Sequence, residues 1–335
     1  MKQRLGLMAA RLAWLGLLAG VATSGRAGEI VGWGSPYDPT VLSNIPPGTD
    51  FKAVAAGGGG TGFALRPDGS IAAWGYDPTG FGLVSTAPTG TGFTAIAASA
   101  SFSTAYALRS DGSIAAWGYD YADSVSGTPT DMGFTDIVAG YGRAYALRSD
   151  GSIAAWGYDA SGQVSGTPAE ADFTALALSS YSVLALRTDG SIAAWGWDGY
   201  GVISGTPVET DFIAIAASGN TAYALRSDGS IVGWGSDEYG RVSDVPTGIG
   251  FTAIAAGGNV AYALRADGSI AAWGGTDHSL ISGVPTGTGF TAIAPSDDFV
   301  LALRGQAVPE PAGVVSAGLA IVALAGAVAR GRSRR

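Results

Sequence analysis

Residues 212–246, FIAIAASGNTAYALRSDGSIVGWGSDEYGRVSDVP, hold one complete copy of the unit from which the body of the chain is built. The stretch opens on a short apolar run, which in the next copy is Phe251-Thr-Ala-Ile-Ala-Ala256, alternating and closed by Gly257. Alternation over so few residues before a glycine predicts a strand. Tyr223-Ala-Leu-Arg226 and Ser230-Ile-Val-Gly-Trp234 then flank Asp228-Gly229. Asp-Gly between two strand-like runs predicts a two-residue hairpin with a type I′ turn. Arg241-Val-Ser-Asp244 predicts a short fourth strand, closed by Pro246, which would break a central ladder.

This unit recurs along the chain. Trp-Gly stands at Trp33, Trp74, Trp117, Trp156, Trp195, Trp234 and Trp273, at spacings of 41, 43, 39, 39, 39 and 39. Asp-Gly recurs at Asp68, Asp111, Asp150, Asp189, Asp228 and Asp267. Four short strands per repeat of roughly forty residues is the blade pattern of a β-propeller. The ends of the array are complementary. The last copy stops at Arg304 without its Trp-Gly strand, and the first begins with that strand, Glu29–Gly34. Pairing the two fragments would complete a seventh blade and remove both open edges, whereas a solenoid would need capping repeats. The expected fold is all-β: a seven-bladed propeller over 28–305, closed by its N- and C-terminal strands.

Composition agrees. Among 335 residues, 54 are glycine and 13% are charged, which suits strands and tight turns rather than a helical bundle. There is no cysteine, which excludes disulfides, thiolate metal sites and cysteine nucleophiles. The basic residues concentrate at the two ends, leaving 10 basic and 26 acidic residues between Gly28 and Ala307. A body near −16 repels phosphate backbones, so no nucleic-acid partner is expected.

Residues 1–27 read as a secretory signal: Lys2 and Arg4, then the apolar stretch Leu12–Val21, then Ala27 before a cleavage point. At the other end, Pro309-Glu310-Pro311 precedes an uncharged run at 312–329, long enough for one membrane span, and then Arg330, Arg332, Arg334 and Arg335. This three-part tail, 306–335, resembles the PEP-CTERM sorting signal of Gram-negative bacteria. The resemblance implies an exosortase-type processing enzyme as partner, transient residence in the inner membrane, and delivery to the cell surface or extracellular matrix, where such proteins accompany extracellular polysaccharide.

The repeat itself, ALRSDGSIAAWGYD with a following Gly and Val-Ser, resembles the regulator-of-chromosome-condensation repeat across residues 29–304. Its short period is closer to that of a compact bacterial propeller type that inhibits β-lactamase. The resemblance implies a binding scaffold. The eukaryotic members promote nucleotide exchange on a small GTPase and contact chromatin, roles that an exported acidic protein does not suit.

Antiparallel blades place the loops after strands one and three on one face and the Asp-Gly turns on the other. The Asp-Gly face is nearly invariant from copy to copy, and the loop face varies. Candidate ligand-binding residues on the loop face are Phe102, Tyr119, Tyr121, Tyr141, Tyr158, Tyr181, Trp197, Asp198, Tyr239 and His278. Aromatics beside carboxylates can stack on sugar rings and accept hydroxyl hydrogen bonds, or form a protein-binding patch. Alternatively, the rings cover the blade ends and each Asp caps its own turn. The Arg residues before each hairpin turn, Arg66 to Arg304, are expected to bridge to carboxylates or carbonyls, and the seven Trp side chains to fill the space between blades.

Catalytic motifs are sparse. His278 is the only histidine, no Gly-Lys-Ser/Thr phosphate loop follows the glycines at 57–60, and neither known repeat type of calcium loop is present. No cofactor or metal is expected. The sequence points to an exported, non-catalytic binding module for a glycan or protein. The alternatives are a purely structural matrix component or a carboxylate-based hydrolase.

Overall fold

The computed structural model describes residues 28–77, 81–99, 101, 103–275 and 278–305. Both terminal addresses, 1–27 and 306–335, lie outside the described residues, as does Phe102. The chain forms seven antiparallel sheets arranged as the blades of a propeller. The unit quoted above becomes blade 5, with strands Phe212–Ser218, Thr221–Arg226 and Ile231–Gly235. First strands of neighbouring blades pack against one another around the axis. Second strands are buried on both faces, which is why Tyr-Ala-Leu runs without polar alternation. Third strands form the rim.

Blade 7 combines Phe290–Pro295 and Phe299–Gly305 with the N-terminal strand Gly28–Gly34. The pairing runs from Gly28 opposite Gly305 to Gly34 opposite Phe299, so the ring closes as the complementary ends of the array predict.

Two local expectations fail. Each blade has three strands, not four. Arg241–Asp244, expected as the fourth, is a helical turn in which the Asp244 N–H donates to the Gly240 carbonyl at 3.0 Å. The cause is Asp237, whose Oδ1 accepts from the N–H groups of Val242 and Ser243 at 2.8 and 2.7 Å. Those donors are the ones a strand ladder would need. The Asp-Gly turn is also not type I′. The Gly229 N–H donates to the Arg226 carbonyl and the Arg226 N–H to the Ser230 carbonyl, both at 2.9 Å, and only Gly229 has positive φ, +82°. This is a three-residue hairpin, a type I turn followed by a left-handed glycine bulge. Asp228 caps it by accepting from the Ser230 N–H at 2.8 Å.

The tryptophans do more than fill space. All seven are buried, and each indole N–H donates to a backbone carbonyl in the helical turn that follows the preceding blade. The acceptors are Leu280, Val41, Leu83, Ser124, Gln163, Val202 and Arg241, themselves buried as a plug between blades. Where a Tyr stands in the second strand its hydroxyl reaches the same plug, as Tyr106 and Trp156 both do at Ser124. The motif therefore ties each blade to the next with satisfied polar groups inside an apolar core.

Candidate functional site

The loop face is built on the Asp turn just described. Asp77, Asp120, Asp159, Asp198 and Asp237 each accept from backbone N–H groups five to eight residues ahead. Asp198 takes the Ile203 N–H on Oδ1 at 2.7 Å and the Ser204 N–H on Oδ2 at 3.1 Å. Hydrogen bonding from Ser204 holds its carboxyl below the usual carboxylate range. Asp120 and Asp237 are lowered in the same way by Ser126 and Ser243. Of the two roles open to these carboxylates, capping their own turns is the one the geometry displays.

In four of the five loops the residue before the capping Asp is aromatic, Tyr76, Tyr119, Tyr158 and Trp197, and in the fifth it is Ser236. The rings assemble into groups. Phe81 and Tyr119 lie 4.8 Å apart between centroids, Tyr119 and Tyr121 6.4 Å, and Tyr121 and Tyr158 5.8 Å, a single file across the loops of blades 1, 2 and 3. Trp197 meets Tyr181 at 5.1 Å and Tyr200 at 5.4 Å, both edge-on, in blade 4. Tyr37 and Tyr76 form a third pair at 6.2 Å.

Of the sequence candidates, Tyr119, Tyr121 and Tyr158 come together, as do Tyr181 and Trp197. Tyr141 stands apart at the axis, half-buried and 5.7 Å from the Arg143 guanidinium, and Tyr239 lies 6.0 Å from that of Arg241. His278 opens a short helix, His278–Ser282. Sequence reasoning missed Tyr37, Phe81 and Tyr200. Phe81-Gly82 and Tyr200-Gly201 occupy the same loop position as Tyr239-Gly240, and that aromatic-Gly pair was the available signal.

The axis offers little room. Its mouth on this face encloses a cavity of about 50 Å³, lined by Ala98, Ala139, Tyr141, Leu178, Ala217 and Pro295 among others, enough for a few waters. Arg143, buried beside Tyr141, donates to the carbonyls of Ser179 and Ser180 at 2.8 and 3.1 Å. Asp297 also lines the cavity, with its carboxyl pushed up by burial and by neighbouring Asp298.

The opposite face is occupied differently. Every Arg that precedes a hairpin turn lies over the first-strand Phe of its own blade, from Arg148 at 4.7 Å over Phe134 to Arg226 at 5.4 Å over Phe212. A bulge between Phe212 and Ala214 brings Phe212 level with Arg226, and five other blades repeat it. Arg148, Arg187 and Arg226 also pair with Asp131, Asp172 and Glu209. The expected carboxylate bridges thus form in blades 3, 4 and 5, while stacking on Phe is the general rule. The two remaining arginines, Arg143 and Arg241, lie on the loop face but are buried, so among the described residues the loop face presents no exposed cation. All eight aromatics among the exposed large apolar residues stand on that face. No group of three or more His, Asp or Glu side chains among the described residues is placed to hold a metal ion.

Residues 212–241 match the family described as the regulator of chromosome condensation (RCC1) repeat. No curated protein matches the chain. Among solved structures, the chain is similar to Saccharomyces cerevisiae Prp20p, described as binding Gsp1p and histones, with a TM-score of 0.66, 16% identity, and coverage of 87% of this chain and 94% of that one. It is similar to human WBSCR16, with a TM-score of 0.66 at 14% identity, over 84% of this chain and 100% of that one. It is also similar to the ectodomain of the Physcomitrella patens receptor kinase CR4, with a TM-score of 0.60 at 23% identity, over 75% and 69%. At these identities the likeness is one of fold, that of an RCC1-type propeller.

Proposed function

We propose that this protein is an exported, non-catalytic binding module that engages a glycan or protein of the cell surface or extracellular matrix through its loop face. The observation that carries the reading is the segregation of exposed aromatic rings. Eight of them project from loops on one face, while the exposed large apolar residues of the other are the scattered aliphatics Met132, Val208, Ile213 and Ile249. Exposed rings gathered on one rigid face mark an interaction surface. Engagement of the loop carboxylates in capping supports binding over hydrolysis.

Export rests on the sequence at 1–27 and on Pro309-Glu310-Pro311, the apolar run and the arginines that follow. Among the described residues no helix is long and apolar enough to cross a membrane, and the tail at 312–329 lies outside them. An exosortase-type enzyme is the proposed processing partner.

The test is capture by the purified full-length protein of material released from the surface of the producing cell. Saturable capture should be lost on Trp197→Ala combined with Tyr119→Ala and kept on Val208→Ser, which alters the opposite face. Equal capture by all three proteins would overturn the reading. No capture, with altered matrix on deletion of the protein, would replace it with the structural-component alternative.

A further inference from the structure

Resting on the binding-face reading, we infer that the file of rings Phe81–Tyr119–Tyr121–Tyr158 is the binding track for a single polysaccharide chain that is uncharged or carries amino groups, and not for a polyanion. Three observations converge. First, the rings are in single file rather than a compact patch. They run across the loops of blades 1, 2 and 3, with steps of 4.8 Å from blade 1 to 2, 6.4 Å within the blade 2 loop and 5.8 Å from blade 2 to 3. Each step is close to the width of one six-membered ring, so successive sugars of one chain would meet successive aromatics.

Second, the planes within the file turn less steeply than those of the Trp197 group. Phe81 and Tyr119 are tilted by 56°, Tyr119 and Tyr121 by 30° and Tyr121 and Tyr158 by 35°. The Trp197 group is different. Its rings meet at 72° and 79°, so edges close against faces and no continuous surface results. Stacking on a sugar uses the ring face, and of the two groups the file, tilted by 30° to 56°, is the one not closed edge against face.

Third, the charge on this face has one sign. The accessible cations among the described residues, Lys52 and the Arg ladder, are on the opposite face, and Arg143 and Arg241 are buried. Around the track stand Asp77, Asp120, Asp123 and Asp159. A chain of uronate, sulfate or phosphate units would be repelled with no guanidinium to offset it, whereas neutral or amino sugars would find acceptors for their hydroxyl or ammonium groups. Protein interfaces draw heavily on exposed Arg, which is missing here.

The experiment is affinity electrophoresis of the full-length protein in gels containing a neutral glucan, a partly deacetylated amino-sugar polymer, or a uronic-acid polymer, followed by titration with oligosaccharides of rising length. Retardation is expected in one of the first two gels and not in the third. Affinity should rise with each sugar up to about four and then level off. Tyr119→Ala should weaken binding roughly tenfold, the size of one lost stacking contact. Tyr119→Trp should retain it, and thermal melts should show both variants folded. Preferential retardation by the uronic-acid polymer would overturn the inference, as would a folded protein that binds none of the three or captures only proteins. Loss of glycan binding on Trp197→Ala with none on Tyr119→Ala would leave the loop-face reading standing and sink the track. Binding unmoved by any loop-face change would sink both.

Discussion

The indole N–H of Trp33 donates to the carbonyl oxygen of Leu280 at 3.1 Å, joining the first described strand to the last helical turn before the ring closes. The same carbonyl accepts the Tyr262 hydroxyl at 3.1 Å, and the two rings meet edge-on at 5.9 Å. The closing blade is therefore tied by the same polar plug as the six others. Trp33→Phe removes the donor and should lower stability by about 1–2 kcal/mol, read from urea unfolding. In a double-mutant cycle with Tyr262→Phe, the coupling should be nonzero, because both donors share one acceptor. An open array would make Trp33→Phe silent.

Asp136 stands in the first strand of blade 3 where the equivalent positions, such as Ala95, Ala175 and Ala214, are alanine. It is buried, its carboxylate accepts the Ile137 N–H, and burial pushes its carboxyl up to about 7. The folded protein therefore keeps a proton that the unfolded chain releases near pH 4. The contribution to stability is complete below about pH 4, falls as pH rises toward 7, and is gone above that. Asp136→Ala should remove this slope and stabilise the protein at pH 8, by an amount on the order of a few kcal/mol. Denaturation midpoints of the two proteins from pH 4 to 8 check it, and parallel curves would show that Asp136 does not titrate as described.

How much of this was legible in the sequence depends on whether the cause was local. Trp-Gly and Asp-Gly punctuation marks strand ends through backbone requirements of glycine, and the split blade at the termini announces closure. Two errors came from side chains that compete with the backbone. Arg241-Val-Ser-Asp244 has the look of a strand, but Asp237 takes the N–H groups of Val242 and Ser243. Asp228-Gly229 has the look of a type I′ turn, but only the glycine turns left-handed. The stacking of Arg226 on Phe212 was not legible, because it depends on a bulge that shifts the register between two strands. Three of the four rings of the aromatic file were legible. Tyr119, Tyr121 and Tyr158 stand beside capping carboxylates, while Phe81 enters from a loop of different length in blade 1.

Gly157, the glycine after Trp156, has φ +97°, and a Cβ there would sit 2.5 Å from the Gly142 carbonyl oxygen, the acceptor of the Tyr158 N–H. Gly250 also has positive φ, +92°, but nothing lies within 4 Å of its Cβ position. Gly250→Ala should therefore cost only the backbone strain, about 1–2 kcal/mol. Gly157→Ala should cost at least about 1 kcal/mol more, because a buried carbonyl must move. Thermal or urea unfolding of the two variants checks the order, and equal losses would show that crowding at Trp-Gly is not what requires glycine.

Arg226 and Arg265 separate stacking from ion pairing on the Asp-Gly face. Both lie over a phenylalanine, Arg226 at 5.4 Å from Phe212 and Arg265 at 5.1 Å from Phe251. Among the described residues Arg226 alone of the two has carboxylate partners, Glu209 at 3.3 Å and Asp211 at 3.5 Å. All these groups are partly or largely exposed, so each contribution is small, less than about 1 kcal/mol per interaction. Replacing either Arg by Met should lower stability slightly at low salt. At 1 M salt the Arg226→Met loss should shrink, because screening has already removed the ion pairs, while the Arg265→Met loss should stay nearly constant. Equal salt responses would mean that the acids before blade 5 set surface charge without stabilising it, and that stacking on Phe is the whole reason the arginine recurs.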